Sequence, residues 1–183
     1  MELSPTAYVV LGMLSWRPMS GYDIKSVVDR STRFFWAASY SQIYGELRAL
    51  RDAGLITADD GPQGARRRTA HRITELGRRA LRDWLAREPE TFELRDEGLL
   101  KLFFASADPA SAASTIAAKR DRHAEVAEQL ESMAAAGTAT GYAGIVLAYG
   151  IECNRWMADW CERTLTDLAE LPASAGARQR ETI

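Results

Sequence analysis

Between Ser39 and Arg51 the chain reads SYSQIYGELRALR, and its polar residues share one kind of chemistry. Ser39, Tyr40, Ser41 and Tyr44 bring hydroxyls, Gln42 a carboxamide, and Arg48 and Arg51 guanidinium groups. These groups hydrogen-bond to base edges and neutralise phosphates, unlike the Glu/Lys mixture of an idle surface. Ile43, Leu47 and Leu50 recur at spacings of four and three, so one helix face is apolar while the polar groups occupy the other. Ser39 or Ser41 can cap its start, and Gly54 sits where a left-handed C-terminal cap is wanted. An apolar-backed rod with such a front suits the major groove of double-stranded DNA.

Other groups fit the same target. Arg66, Arg67 and Arg68, followed by Thr69, are three consecutive cations that repel one another without an anion nearby. At a hairpin tip they reach a DNA backbone or an adjacent groove, with release of counterions. Gln42 is placed to pair with adenine and the hydroxyls with phosphate or base, while Arg48, one to two turns on, meets the backbone. Ser20 can offer its amide and hydroxyl to a phosphate from a helix start. Tyr22, on the next helix, and Tyr8, off the apolar stripe of the first, complete the candidate contacts.

The elements that must hold these residues follow from periodicity and punctuation. Ser4-Pro5-Thr6 opens a helix to about Leu14, with Ala7, Val10, Leu11 and Leu14 inward. A second helix spans Tyr22 to Arg30, with Ile24, Val27 and Val28 inward, and the polar-fronted helix is the third. Leu55-Ile56-Thr57 and residues 66–73 read as strands around the turn signal DDGPQG. A helix over 75–87 follows, with Leu76, Ala80, Leu81, Trp84 and Leu85 inward. Residues 1–87 thus predict a winged helix-turn-helix of three helices and a two-stranded wing. Residues 88–95 read as a linker and 172–183 as a disordered tail. Residues 96–171 between them are all-α, so the fold class is mainly α. Tyr142, Val146, Tyr149, Cys153, Trp156 and Trp160 form a heptad-like seam on the last helix. This is more aromatic surface than one thin domain buries, and a second copy with two-fold closure would cover it. Trp156 and Trp160, one turn apart, could also hold a flat aromatic ligand.

The formal charge of −2 hides an asymmetry: residues 1–87 hold 14 Lys/Arg against 9 Asp/Glu, and residues 88–183 hold 9 against 16. A net +5 half joined to a −7 half points to a polyanion-binding module fused to another function. His71 and His123 fall in different domains, as a wing-strand and a helix-surface residue, without the acid or nucleophile that catalysis needs. Cys153 and Cys161 have no neighbouring His and are eight residues apart, which excludes a local disulfide and leaves free thiols. No phosphate-cradling glycine loop is present. Neither enzyme, metal site nor cofactor is expected. No apolar run of about 18 residues predicts a membrane helix, and the chain reads as cytoplasmic. The competing assignment is a winged helix used for protein interaction, for which a basic face is unnecessary.

Three stretches resemble the PadR family of bacterial transcriptional regulators: LGMLSWRPMSGYDIK (11–25), FFWAASYSQIYGELRALRDAGLI (34–56) and HRITELGRRALRDWL (71–85). LRDEGLLKLFFAS (94–106) is similar to the start of the virulence-activator-type C-terminal domain of the longer members. The wing departs from the family's usual Gly-Arg-Pro-Arg-Lys and Tyr, with Ala65 to Thr69 and His71 in their place. The resemblance implies a homodimer that represses, or occasionally activates, transcription at an inverted repeat. It places the dimer contact on the C-terminal helices, here Leu99, Leu100, Phe103 and the seam of the last helix. It also implies a small aromatic effector.

Overall fold

The computed structural model describes residues 3–59, 69–89 and 95–172, in two compact units, residues 1–91 and 92–183. In the first unit α1 (Pro5–Trp16) is capped by Ser4, whose Oγ accepts from the Ala7 amide at 3.1 Å. Ala7, Tyr8, Val10, Leu11, Met13 and Leu14 are all buried, so α1 is apolar on nearly every side and becomes the central helix. Two shorter amphipathic helices pack around it, α2 (Gly21–Arg30) through Ile24 and Val28, and α3 (Tyr40–Asp52) through Ile43, Leu47 and Leu50.

The expected wing pair is present as β2 (Ile56–Asp59) and β3 (Ala70–Ile73), antiparallel with Ile56 opposite Ile73. A third strand, β1 (Met19–Ser20), adds to the other edge of β3 with Met19 opposite His71, for a sheet order of β1-β3-β2. His71 is buried in the middle of this sheet. Two residues carry no periodicity, which is why β1 is not visible in the pattern.

α3 ends as its sequence requires. Gly54 takes φ +69°, its amide donates to the Arg51 carbonyl, and the Leu55 amide reaches back to Leu50 at 2.9 Å. This double bond pattern satisfies the last helix carbonyls, and Leu50 and Leu55 are both buried against it. α4 (Glu75–Leu85) is docked onto the same corner by Thr74, whose hydroxyl caps the Gly77 amide and donates to the carbonyls of Gly54 and Leu55. Ala80 and Leu81 pack inward as expected, but Leu76 and Leu85 are exposed.

The second unit is helical throughout its described residues: α5 (Glu97–Phe103), a 3₁₀ turn at Ala105–Ala107, α6 (Ala110–Ala135) and α7 (Gly141–Glu170). α6 and α7 run antiparallel, shown by the pairing of Arg120 with Glu162, His123 with Asn154 and Glu131 with Arg155. Asp96 caps α5 through the Leu99 amide and pairs with Lys119 of α6 at 2.5 Å. Burial pushes its carboxyl up, but the bonds from Lys119 and the Leu99 amide outweigh that and hold it below the ordinary carboxylate range. A depressed folded value stabilises above the unfolded pKa of about 3.9, and the contribution is lost as pH falls through the folded value. Urea midpoints are therefore expected to fall on acidification through this range, with a shallower fall in Asp96→Asn. Equal slopes in the two proteins would show that this pair does not contribute.

Candidate nucleic-acid interface

The start of α3 is built by a reciprocal cap. Ser39 Oγ accepts from the Gln42 amide at 3.2 Å, while Gln42 Oε1 accepts from the Ser39 amide at 2.9 Å. Ser41 lies beside the cap, its hydroxyl 3.0 Å from that of Ser39. This gives Gln42 a role within the helix start beside the base contact expected of it. A bidentate pair with adenine needs both ends of the carboxamide, and the oxygen is already committed to the helix cap. Ser39→Ala is expected to cost about 1 kcal/mol and lower the urea midpoint without changing the slope. An unchanged midpoint would mean that the cap contributes nothing.

Exposed on the same side are Tyr40, Tyr44 and Arg48 of α3 and Tyr22 of α2. The rings of Tyr22 and Tyr40 lie 6.4 Å apart, and Lys25 Nζ sits 5.4 Å above the Tyr40 ring while pairing with Asp29. Lys25 is missing from the sequence-derived set, although its three-residue spacing from Tyr22 puts both on one face of α2. Thr69 is exposed at the start of the second wing strand, and Arg66, Arg67 and Arg68 lie outside the described residues.

Two expected contacts are corrected. Tyr8 is only 7% exposed, stacked on Trp84 of α4 with ring centroids 4.6 Å apart and planes at 9°. Its ring joins α1 to α4 and is not presented to a ligand. Ser20 is buried at the start of α2, where its amide and hydroxyl both donate to the Asp23 carboxylate at 3.0 and 2.7 Å. Those donors are occupied, and an anion there would meet a carboxylate.

In the second unit the α7 seam is largely uncovered. Tyr142 is 90% exposed, Tyr149 66%, Trp156 56% and Val146 43%, whereas Cys153 and Trp160 are half-buried. Leu100 and Phe103 of α5 are exposed and Leu99 half-buried. Cys161 is the one buried residue of this 30-residue helix. The neighbouring Cys153 thiol raises the Tyr149 phenol above its usual value. Trp160 lines a shallow hollow with Arg163, Thr164, Thr166 and Asp167, and Trp156 is not part of it. His123, expected at the surface, is instead half-buried between α6 and α7, with Lys119 and Asn154 as partners. Both cysteines are free thiols.

A central helix flanked by two short ones and a small wing sheet define a winged helix-turn-helix fold, followed by a helical unit. Residues 10–83 match the transcriptional regulator PadR-like family and residues 94–169 the virulence activator alpha C-terminal domain. The first unit thus carries a PadR-like domain, and the second matched domain follows it in the chain. It is 41% identical over 103 residues to the negative transcriptional regulator PadR of Bacillus subtilis, a match covering 54% of this chain and 56% of that one. The chain spans about half the length of the curated relatives it matches. Among solved structures, B. subtilis PadR in complex with operator DNA superposes with a TM-score of 0.79 at 28% identity, over 90% of this chain and 99% of that one. The same protein with p-coumaric acid gives 0.73 at 26% identity, over 93% and 100%. No helix of the described residues is long and apolar enough to cross a membrane.

Proposed function

We propose that the chain is a cytoplasmic homodimeric repressor that binds an inverted-repeat operator in double-stranded DNA and is released by a small aromatic ligand. The observation that carries the DNA reading is the preformed start of α3. Its cap is internal, and Ser41, Tyr40, Tyr44 and Arg48 stand exposed beside Tyr22 and Lys25 of α2. A helix presented in this way enters the major groove by its first turns, with hydroxyls and cations on the flanking phosphates. The operator-bound PadR relative supports that placement. Base choice falls to Ser41, Tyr40 and Tyr44 more than to Gln42, whose carbonyl holds the cap.

The uncovered seam of α7 supports the dimer, with α5 contributing Leu100 and Phe103. Two-fold pairing sets the two recognition helices about one duplex turn apart, roughly 34 Å. The p-coumaric acid complex of the relative supports an aromatic effector, with Trp156 and Trp160 as the residues to watch. Quenching of tryptophan emission by aromatic acids tests that part, and a flat response to all of them would remove it.

The test of the DNA reading is the salt dependence of binding. Replacing Arg66, Arg67 and Arg68 by Ala is expected to weaken binding to every duplex and to flatten the log K against log salt slope by about one unit for each phosphate no longer neutralised. An unchanged slope and affinity would detach the wing from DNA, and no salt-dependent duplex binding by the unaltered protein would end the reading.

A further inference from the structure

The second unit contains a polar chain that neither DNA binding nor dimer formation uses. It begins at Asp96, the cap of α5, and passes to Lys119 on α6 at 2.5 Å. Lys119 Nζ lies 3.2 Å from His123 Nε2, His123 Nδ1 lies 2.8 Å from Asn154 Oδ1 on α7, and Asn154 Nδ2 donates to the Gly150 carbonyl at 2.8 Å. The side chains of Asp96 and Lys119 are only 16% and 11% exposed. Three helices are thus tied by one row of bonds.

The chemistry of the row allows one arrangement of protons. An ammonium only donates, so His123 Nε2 must accept from Lys119 and carry no hydrogen. Nδ1 then holds the ring proton and donates to Asn154 Oδ1, which fits the amide orientation that lets Nδ2 reach Gly150. A second proton on His123 would set an N–H donor against the Lys119 ammonium, with like charges 3.2 Å apart. The other groups around the row do not relieve this. Asp96, from α5, is already taken up by Lys119 and the Leu99 amide. Cys161, from α7, is fully buried, and that burial pushes its thiol up so that it stays neutral. Arg120, beside Lys119, is paired with Glu162 and Asp121.

We propose that this row is a proton-operated clasp, which holds α5 on the α6–α7 hairpin while His123 is neutral and releases it when His123 takes up a proton. To open, either Lys119 leaves Asp96 and the α5 cap loosens, or the imidazole turns away and the link to Asn154 is lost. The clasp stands apart from the DNA reading, since its test needs no duplex.

The experiment uses the full chain, labelled with ¹⁵N at its two histidines, with His71→Gln to assign the signals. Expected is a ring nitrogen pattern for His123 with the proton on Nδ1, the minor form of free imidazole. As His123 is seen to take up its proton, the protection factors over Leu99–Phe103, corrected for intrinsic exchange at each pH, are expected to fall about tenfold or more, with those of the α1 amides of the first unit as an unchanged internal control. In His123→Gln the side-chain carbonyl can still accept from Lys119 but takes up no proton, so the α5 protection factors, corrected for intrinsic exchange at each pH, stay constant over the same interval. A proton on Nε2, or α5 exchange that does not follow the His123 signal, overturns the clasp. So does His123→Gln retaining the wild-type response.

Discussion

Gly77→Ala is expected to unfold the first unit well below the melting temperature of the unaltered protein. A Cβ at this position would stand 2.2 Å from the Leu55 carbonyl oxygen and 2.8 Å from Ile73 Cγ1. The first of these is backbone, so no side chain can swing aside to make room. α4 would have to lift from the corner where Thr74 bonds to Gly54 and Leu55, at 2.9 and 3.0 Å. Overpacking of this kind costs about 1–3 kcal/mol, and each bond broken adds about 1. The better helix propensity of alanine returns only about 1 kcal/mol. A net loss of about 3 kcal/mol is a large share of a stability of roughly 5–15 and lowers Tm by roughly 10–20 °C in a unit of this size. Gly45, inside α3, has no neighbour within 4 Å of an added Cβ, so Gly45→Ala serves as the control that melts no lower than the parent. If thermal unfolding by circular dichroism gave Gly77→Ala and its parent the same Tm, the close approach of α4 would be wrong.

Tyr149→Glu is expected to turn the proposed homodimer into a monomer. Tyr149 lies near the middle of the exposed seam, between Tyr142 and Trp156, and would be covered when two copies of α7 meet. An unpaired carboxylate buried there would cost several kcal/mol, against the apolar contact proposed to hold the dimer. The helix itself tolerates Glu well, so α7 is expected to keep its far-ultraviolet signal. Loss of pairing removes the second half-site, which lowers operator affinity about 10²–10⁴-fold through the fall in effective concentration. Light scattering at micromolar protein separates the outcomes. A dimer that survives Tyr149→Glu would move the interface elsewhere, to the exposed Leu100 and Phe103 of α5 or beyond.

Local pattern carried much of the fold. The Ile43, Leu47, Leu50 stripe, the caps at Ser4, Ser39, Thr74 and Asp96 and the left-handed Gly54 are all set by residues within a turn or two of each other. What was not legible depends on residues far apart in the chain. Tyr8 falls off the α1 stripe in a helical projection, yet Trp84, from α4, covers it. His123 lacks any local partner, and its true partner Asn154 lies 31 residues on, brought back by the α6–α7 turn. Gln42 is a different case. Ser-x-x-Gln is itself a capping signature, so the signal was in the local sequence, and base recognition was the less local of two uses for one carboxamide. Ser20 and Asp23 repeat the same device one helix earlier.

Under the proposed function, the reciprocal cap of α3 bears on how quickly a duplex can be engaged. With Ser39 and Gln42 holding the first turn, the segment need not acquire its shape on contact, and little chain entropy is surrendered on docking. Encounter rates are then governed by diffusion and charge steering, with ionic strength as the main control.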